Sequence, residues 1–364
     1  MKATFFNFSH DLALARNVAN YTPPRNVQIM ERDLASLVNL LPEAEIAYTE
    51  HAPVWGWDIS LVHKLQCSMF NVQCSMSNGQ SLLPTPEQLA DIRRLSSRLT
   101  AVEMLPAIRQ RLPAGTTVGE SWYAKTMDNV QCSILNSQFL ILKFLYSGSG
   151  RGLRIVEAKG LENSMPKGDF VIEPYYDKVA DFALEYLATP TEVQFLGVSL
   201  FETNANNAYL GNCIAPQRVL WQRISKYVPQ FDFEHLIGIV RKELSLRFVG
   251  HYLGPLGVDM MIVKNNVQCS MSNAQFKVHP CVEVNVRRTM GELSLHILPL
   301  LADGVEGYFR IVFDKDSASL HRSVAVMPPA VYDGNGKLVS GTMLLTPLTD
   351  DTHYVAVVGC GVTR

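Results

Sequence analysis

The runs G-P-L-G-V-D-M-M-I-V (254–263) and F-K-V-H-P-C-V-E-V-N-V-R-R-T-M-G (276–291) decide how this chain is read. Both alternate apolar residues with others, the period of a half-buried strand. Only a short segment separates them, so they predict a hairpin. Asp259 lies on the first strand. Glu283 and Asn285 lie on the second, two residues apart, and so point to one face. Two carboxylates and a carboxamide on facing strands form a hard-oxygen cluster suited to Mg²⁺. Arg287 continues that face, where a guanidinium can hold a phosphate oxygen with two hydrogen bonds. The plain alternative is the solvated face of a half-exposed sheet.

The segment between the two strands carries N-V-Q-C-S-M (266–271). The same string begins at Asn71, and N-V-Q-C-S-I begins at Asn129. A metal-binding repeat fails, because there is no C-x-x-C and no His at ligand spacing. A solenoid fails, because the copies keep no fixed period. The genetic code gives a better account. A seven-base unit AATGTTC, read in triplets, encodes N-V-Q-C-S-M-F, and Gln66–Phe70 match the end of a preceding unit. We read these segments as expanded DNA repeats that kept the frame, at sites that tolerate insertion and hence at exposed loop tips. Cys67, Cys74, Cys132 and Cys269 lie inside them and lose any functional claim.

Upstream, F-L-I-L-K-F-L-Y-S-G-S-G-R-G-L-R-I-V (139–156) predicts a buried strand, a Gly/Ser loop over Ser147–Gly152, and a second strand. No G-K-[ST] follows, so this is not a P-loop, and no helix opens as a Rossmann fingerprint requires. A flexible turn is one reading. A glycine flap that covers phosphates through free backbone N–H groups is the other. Lys143 within an apolar strand favours the flap, since a buried charge needs a partner and a nucleotide phosphate supplies one. In F-V-I-E-P-Y-Y-D-K-V-A-D (170–181), a strand runs into Glu173-Pro174, and proline there marks a connection between layers. Glu173, Asp177 and Asp181 are either surface acids or a hinge that grips adenine and ribose.

At the N-terminus, residues 2–8 predict a strand, 27–41 a helix and 45–49 another strand. Residues 86–112 predict a long helix broken near Ser96–Ser97 and stopped by Pro113. His10 and Asp11 follow the first strand, where α/β folds place ligand loops, so they could contact substrate. A capping Asp11 beside an incidental His10 is equally consistent.

Composition narrows the classes. The chain has 364 residues, 47% apolar and 18% charged, which suits a globular body of two or three subdomains. Net charge is −2, with no basic stripe for nucleic acid and no polybasic patch or long apolar run for a membrane. Seven cysteines without disulfide spacing fit a reducing cytoplasm. His10 and Asp11 interrupt what would be the apolar core of a signal peptide.

Taken in order, Lys143, S-G-S-G-R-G (147–152), E-P-Y-Y-D (173–177), G-V-D (257–259) and E-V-N-V-R (283–287) resemble the ATP-grasp superfamily of carboxylate–amine ligases, over residues of about 96–300. The E-x-N-x-R element is the most specific part. The resemblance implies an α/β (α+β) ATP-grasp fold with an N-terminal α/β pre-ATP-grasp domain over 1–95, a small lobe with the flap over 96–182, and a C-terminal lobe with the metal site over 183–364. It implies ATP and Mg²⁺ as cofactors. Lys143 and the flap residues Ser147, Gly148, Ser149, Gly150 and Arg151 would touch phosphates. Arg98 stands near the family's further basic position, as arginine where lysine is common. Glu173 and Tyr175 would hold adenine, and Asp181 the ribose. Asp259, Glu283 and Asn285 would ligate magnesium, and Arg287 would steady the transferring phosphoryl group. The implied reaction joins a small-molecule or peptide carboxylate to an amine through an acylphosphate. A kinase acting on a non-carboxylate acceptor and a non-catalytic ATP-binding module are the rivals.

Overall fold

The computed structural model describes residues 6–41, 54–70, 83–125, 137–147, 152–159, 161, 167–204, 207–265 and 275–361. Most of the three repeat segments, the expected strand at 45–49 and residues 2–5 of the expected first strand lie outside these residues. Residues 6–8 are not in a strand.

The described N-terminal part is helical: α1 (His10–Arg16), α2 (Arg25–Asp33), a 3₁₀ turn (Ala35–Leu40), α3 (Ile59–Phe70), α4 (Pro86–Leu95) and α5 (Leu99–Arg109). The helix expected over 27–41 thus breaks at Leu34. Gln66–Phe70, read as repeat and hence loop, continues α3. The break at Ser96–Ser97 falls where expected. α4 starts with a capping box, in which Thr85 accepts from the Gln88 N–H and the Gln88 side chain accepts from the Thr85 N–H.

Two antiparallel sheets follow. β1 (Trp122–Ala124), β2 (Phe139–Phe144), β3 (Leu153–Glu157) and β4 (Phe170–Pro174) form a small sheet in the order β1-β4-β2-β3. The large sheet contains β5 (Lys178–Ala188), β6 (Val193–Thr203), β7 (Tyr209–Ile214), β8 (Gly254–Lys264), β9 (Phe276–Asn285), β10 (Gly307–Phe313), β11 (Val331–Tyr332), β12 (Leu338–Leu344) and β13 (Tyr354–Cys360). Its order is β11-β12-β13-β10-β7-β6-β5-β8-β9. The helices of this part are α6 (Gln217–Ser225), α7 (Phe233–Phe248), α8 (Met290–Ile297) and α9 (Ser317–Ala325). This is an α+β architecture, with helices packed on antiparallel sheets.

One face of the large sheet is core. Phe182, Leu184, Tyr186, Val198 and Val258 bury there with Met104, Ile108 and Leu236 of the covering helices. A second core gathers Leu34, Leu37, Trp55, Leu293 and Phe309. The chain crosses from the small sheet to the large one at Tyr175–Asp177, immediately after Pro174. The connection predicted from that proline is present, one residue later than Glu173-Pro174. β5 begins at Lys178, so the expected boundary at 182/183 lies within that strand. No described helix is long and apolar enough to cross a membrane.

Candidate active site

β8 and β9 pair antiparallel with Asp259 opposite Glu283 and Gly257 opposite Asn285. Lys264 pairs with Phe276, so the two strands form the predicted hairpin, and the repeat segment lies between them in sequence. The register slips between Asp259 and Met261, where β9 carries Pro280. Proline lacks the ladder donor and is tolerated here because β9 is an edge strand.

Asp259, Glu283, Asn285 and Arg287 line one cleft between the two sheets, of about 250 Å³. Asn285 Nδ2 donates to Asp259 Oδ2 at 3.1 Å. Burial, with the facing Glu283 charge, pushes the Asp259 carboxyl up to about 7. Two carboxylates brought together in low dielectric favour either a proton or a cation between them. Arg287 donates to Asn285 Oδ1 at 3.0 Å and grips both oxygens of Asp11, at 3.2 and 3.0 Å. Burial works against the Asp11 charge, but Arg287 outweighs it and holds that carboxyl below its usual range.

Arg98 precedes α5 and ties three features together. It donates to the Phe144 carbonyl and to the carbonyl and hydroxyl of Ser147, and its Nη1 forms an ion pair with Glu283 Oε2 at 2.9 Å. It therefore fixes the start of the Gly/Ser loop to the acid cluster. Gly148, Ser149, Gly150 and Arg151 lie outside the described residues.

Lys143 is buried as expected, with a protein partner. Its Nζ stands 2.5 Å from Glu173 Oε2, and Ser121 donates to Glu173 Oε1 at 2.9 Å. Burial pulls the Glu173 carboxyl up, but Lys143 dominates and holds it below the ordinary range. A phosphate is thus not required to explain this lysine. Glu173, expected to hold adenine, thus has a side-chain partner on each oxygen, Lys143 and Ser121. Tyr175 and Asp181 line the cleft. Asp181 pairs with Lys178 at 2.6 Å and accepts from Thr203 at 3.0 Å. Asp11 reaches the site through Arg287. His10 does not line the cleft; it is buried near Asp58, with Nδ1 to Oδ2 at 3.5 Å. Asp58 in turn caps α3 through the Ser60 and Leu61 N–H groups. His10, expected as a possible substrate contact, thus lies beside Asp58 and apart from this cleft.

Glu185 was not singled out from sequence. It lies on β5 opposite Gly257 and lines the same cleft. Asp181 and Glu185 are four apart in an alternating strand, which puts them on one face; that spacing was the available signal.

Among the described residues no three His, Cys, Asp or Glu side chains converge as a self-sufficient metal centre. The donor set here is two carboxylates and a carboxamide. It fits Mg²⁺, which is characteristically held by one or two carboxylates and completed by water and substrate phosphates.

The fold and site define an α+β protein with an acid-and-arginine cleft between two antiparallel sheets. No protein-family model matches the chain, and no curated protein matches it. It is similar to solved structures at low identity. N5-carboxyaminoimidazole synthetase from Staphylococcus aureus, complexed with ADP, is 16% identical over 86% of this chain and 76% of that one, with a TM-score of 0.48. A biotin carboxylase β,γ-ATP complex from Campylobacter jejuni is 14% identical over 85% and 70%, with a TM-score of 0.46. L-amino acid ligase from Bacillus licheniformis is 14% identical over 76% and 69%, with a TM-score of 0.40.

Proposed function

We propose that this chain is an ATP- and Mg²⁺-dependent ligase of the ATP-grasp type, which activates a small-molecule or peptide carboxylate as an acylphosphate and passes it to an amine. The observation that carries this reading is the cross-strand Asp259–Glu283 pair, hydrogen-bonded to Asn285 and flanked by Arg287 and Arg98 in a cleft between two sheets. A cluster of hard oxygens beside two guanidiniums suits a polyphosphate bound with its divalent cation.

In this reading Asp259, Glu283 and Asn285 hold Mg²⁺, which supplies charge neutralisation at the transferring phosphoryl group. Arg287 orients a phosphoryl oxygen, and that oxygen competes with Asp11 for the guanidinium. Lys143 adds a fixed positive charge to the wall, anchored by Glu173. Ile141, Leu153 and Tyr175 give an apolar wall at the Lys143 end for a purine base. The protein's part is positioning and electrostatics, as phosphoryl transfer requires.

The test is thermal unfolding with ATP, with Mg²⁺ and with both. Ligand at about a hundred times its dissociation constant adds roughly 2.7 kcal/mol. The expected result is a midpoint shift with Mg·ATP that loses its magnesium dependence in Glu283→Ala. No shift with any nucleotide would overturn the reading. Hydroxylamine trapping during turnover then separates a ligase, which yields a hydroxamate, from a kinase, which does not.

A further inference from the structure

The register gives the cleft a direction. Met261 stands between Asp181 and His279, Asp259 between Ala183 and Glu283, and Gly257 between Glu185 and Asn285. Lys143 and Glu173 lie at the His279 end, where their charges act on that ring. Glu185 is at the opposite end, beyond the acid cluster and two strand spacings, about 10 Å, from Asn285. Phe8, Trp55 and Tyr209 also line the cleft, and the Glu185 charge acts on Tyr209.

This end is built around the Glu185 carboxylate. A Cβ at Gly257 would lie 2.8 Å from its Oε2, and one at Gly291 would lie 1.9 Å from its Oε1. The two glycines therefore leave the space that the carboxylate fills. Ser199 donates to Oε1 at 2.9 Å and Thr289 to Oε2 at 2.8 Å. Each carboxylate oxygen can accept two hydrogen bonds, so each keeps one acceptor position. The side chain is 1% exposed, and no Lys, Arg or His among the described residues forms an ion pair with it. A buried carboxyl with two hydroxyl neighbours and no cation has no positive charge to set against its ionisation. Aromatic side chains lining the same cleft offer a second kind of attraction for positive charge.

We propose that Glu185, in the cleft that Phe8, Trp55 and Tyr209 also line, forms the subsite for the ammonium group of the acceptor, which makes the acceptor a cationic primary amine. This rests on the ligase reading for its place in the reaction, but not for its chemistry. Burial, with the charges of Asp259 from β8 and Glu292 from α8, pushes the Glu185 carboxyl up to about 8, despite the hydroxyls of Ser199 and Thr289. Tyr209 from β7 also faces it, and burial keeps that phenol neutral. A bound ammonium supplies the positive charge that this environment lacks.

The test is calorimetric titration of the full chain with glycinamide, a cationic amine without a carboxylate, and with glycolamide, its neutral hydroxyl counterpart. Both are run with and without Mg·ATP. The expected result is saturable binding of glycinamide only, weakened about thirtyfold or more in Glu185→Gln. Equal binding of the two probes, or equal glycinamide binding by the natural chain and Glu185→Gln, would overturn the proposal. So would an absence of glycinamide binding under both conditions. The probe comparison needs no variant, so it decides the matter even where Glu185→Gln fails to fold. Loss of the Mg·ATP response alone overturns the nucleotide reading, while glycinamide still decides Glu185.

Discussion

Lys143 and Glu173 show what a single buried charge demands. Both side chains are almost fully enclosed and 2.5 Å apart. Replacing Lys143 with Met leaves Glu173 in low dielectric with the Ser121 hydroxyl as its remaining side-chain donor. Breaking a buried pair from one side costs about 3–5 kcal/mol, whereas replacing both partners with apolar groups is often close to neutral. Lys143→Met is therefore expected to be the less stable protein, and Lys143→Met/Glu173→Leu to recover most of the loss in urea unfolding. A double variant no more stable than the single one would show that the two charges do not compensate each other. The need for a partner was legible in F-L-I-L-K-F-L, because a lysine set among apolar residues on a strand cannot be buried as a lone charge. The partner was not. It lies thirty positions away on β4, and only the pairing of β2 with β4 brings the two together. Arg287 has the same history. Its place beside Asn285 followed from period two, but its bidentate grip on Asp11 depends on how α1 meets the segment after β9.

At the scale of elements, the β8–β9 hairpin was the most legible part of the chain. Its alternation fixed which residues share a face, and Asp259 and Glu283 do face each other. The Ser96–Ser97 break was legible because serine side chains compete for backbone hydrogen bonds, as Ser97 Oγ does in accepting from the Leu99 N–H at 3.3 Å. The N-terminal strands were less so, since a short apolar run such as 2–8 suits strand or coil until tertiary packing decides. The hairpin also makes the repeat testable. The Asn265 N–H donates to the Gln275 carbonyl at 2.9 Å, so the ladder is closed right up to the repeat segment. Two-residue Asn-Gly turns match the twist of such strands. Replacing residues 266–274 with Asn-Gly is expected to leave the Mg·ATP midpoint shift intact, because the acid cluster lies five or more residues from the turn on each strand. Loss of that shift in a folded variant would mean that the segment takes part in the site.

For the whole molecule, the charges that build the cleft set how stability follows pH. Three buried carboxyls are held well above their ordinary values: Glu185 up to about 8, and Asp259 and Glu292 up to about 7, burial being the first cause in each. In the unfolded chain they ionise near pH 4. Between those limits the native state holds protons that the unfolded state has released, so stability falls as pH rises. His279 acts the other way. Burial lowers it to about 4, so below about 6.5 the unfolded chain binds a proton that the native chain does not. Three carboxyls outweigh one imidazole. Each uncompensated proton is worth about 1.4 kcal/mol per pH unit, so the decline is expected to begin near pH 5 and to continue to about 8. Urea unfolding across that range measures it, and Glu292→Gln should flatten the slope by about one proton. Mg²⁺ should flatten it further in the natural chain by favouring ionised Asp259, and should have no such effect in Asp259→Asn. Stability that rises steadily from pH 5 to 8 would mean that these carboxyls are already charged in the folded protein. The acid cluster would then be compensated by the arginines alone, without need of a cation.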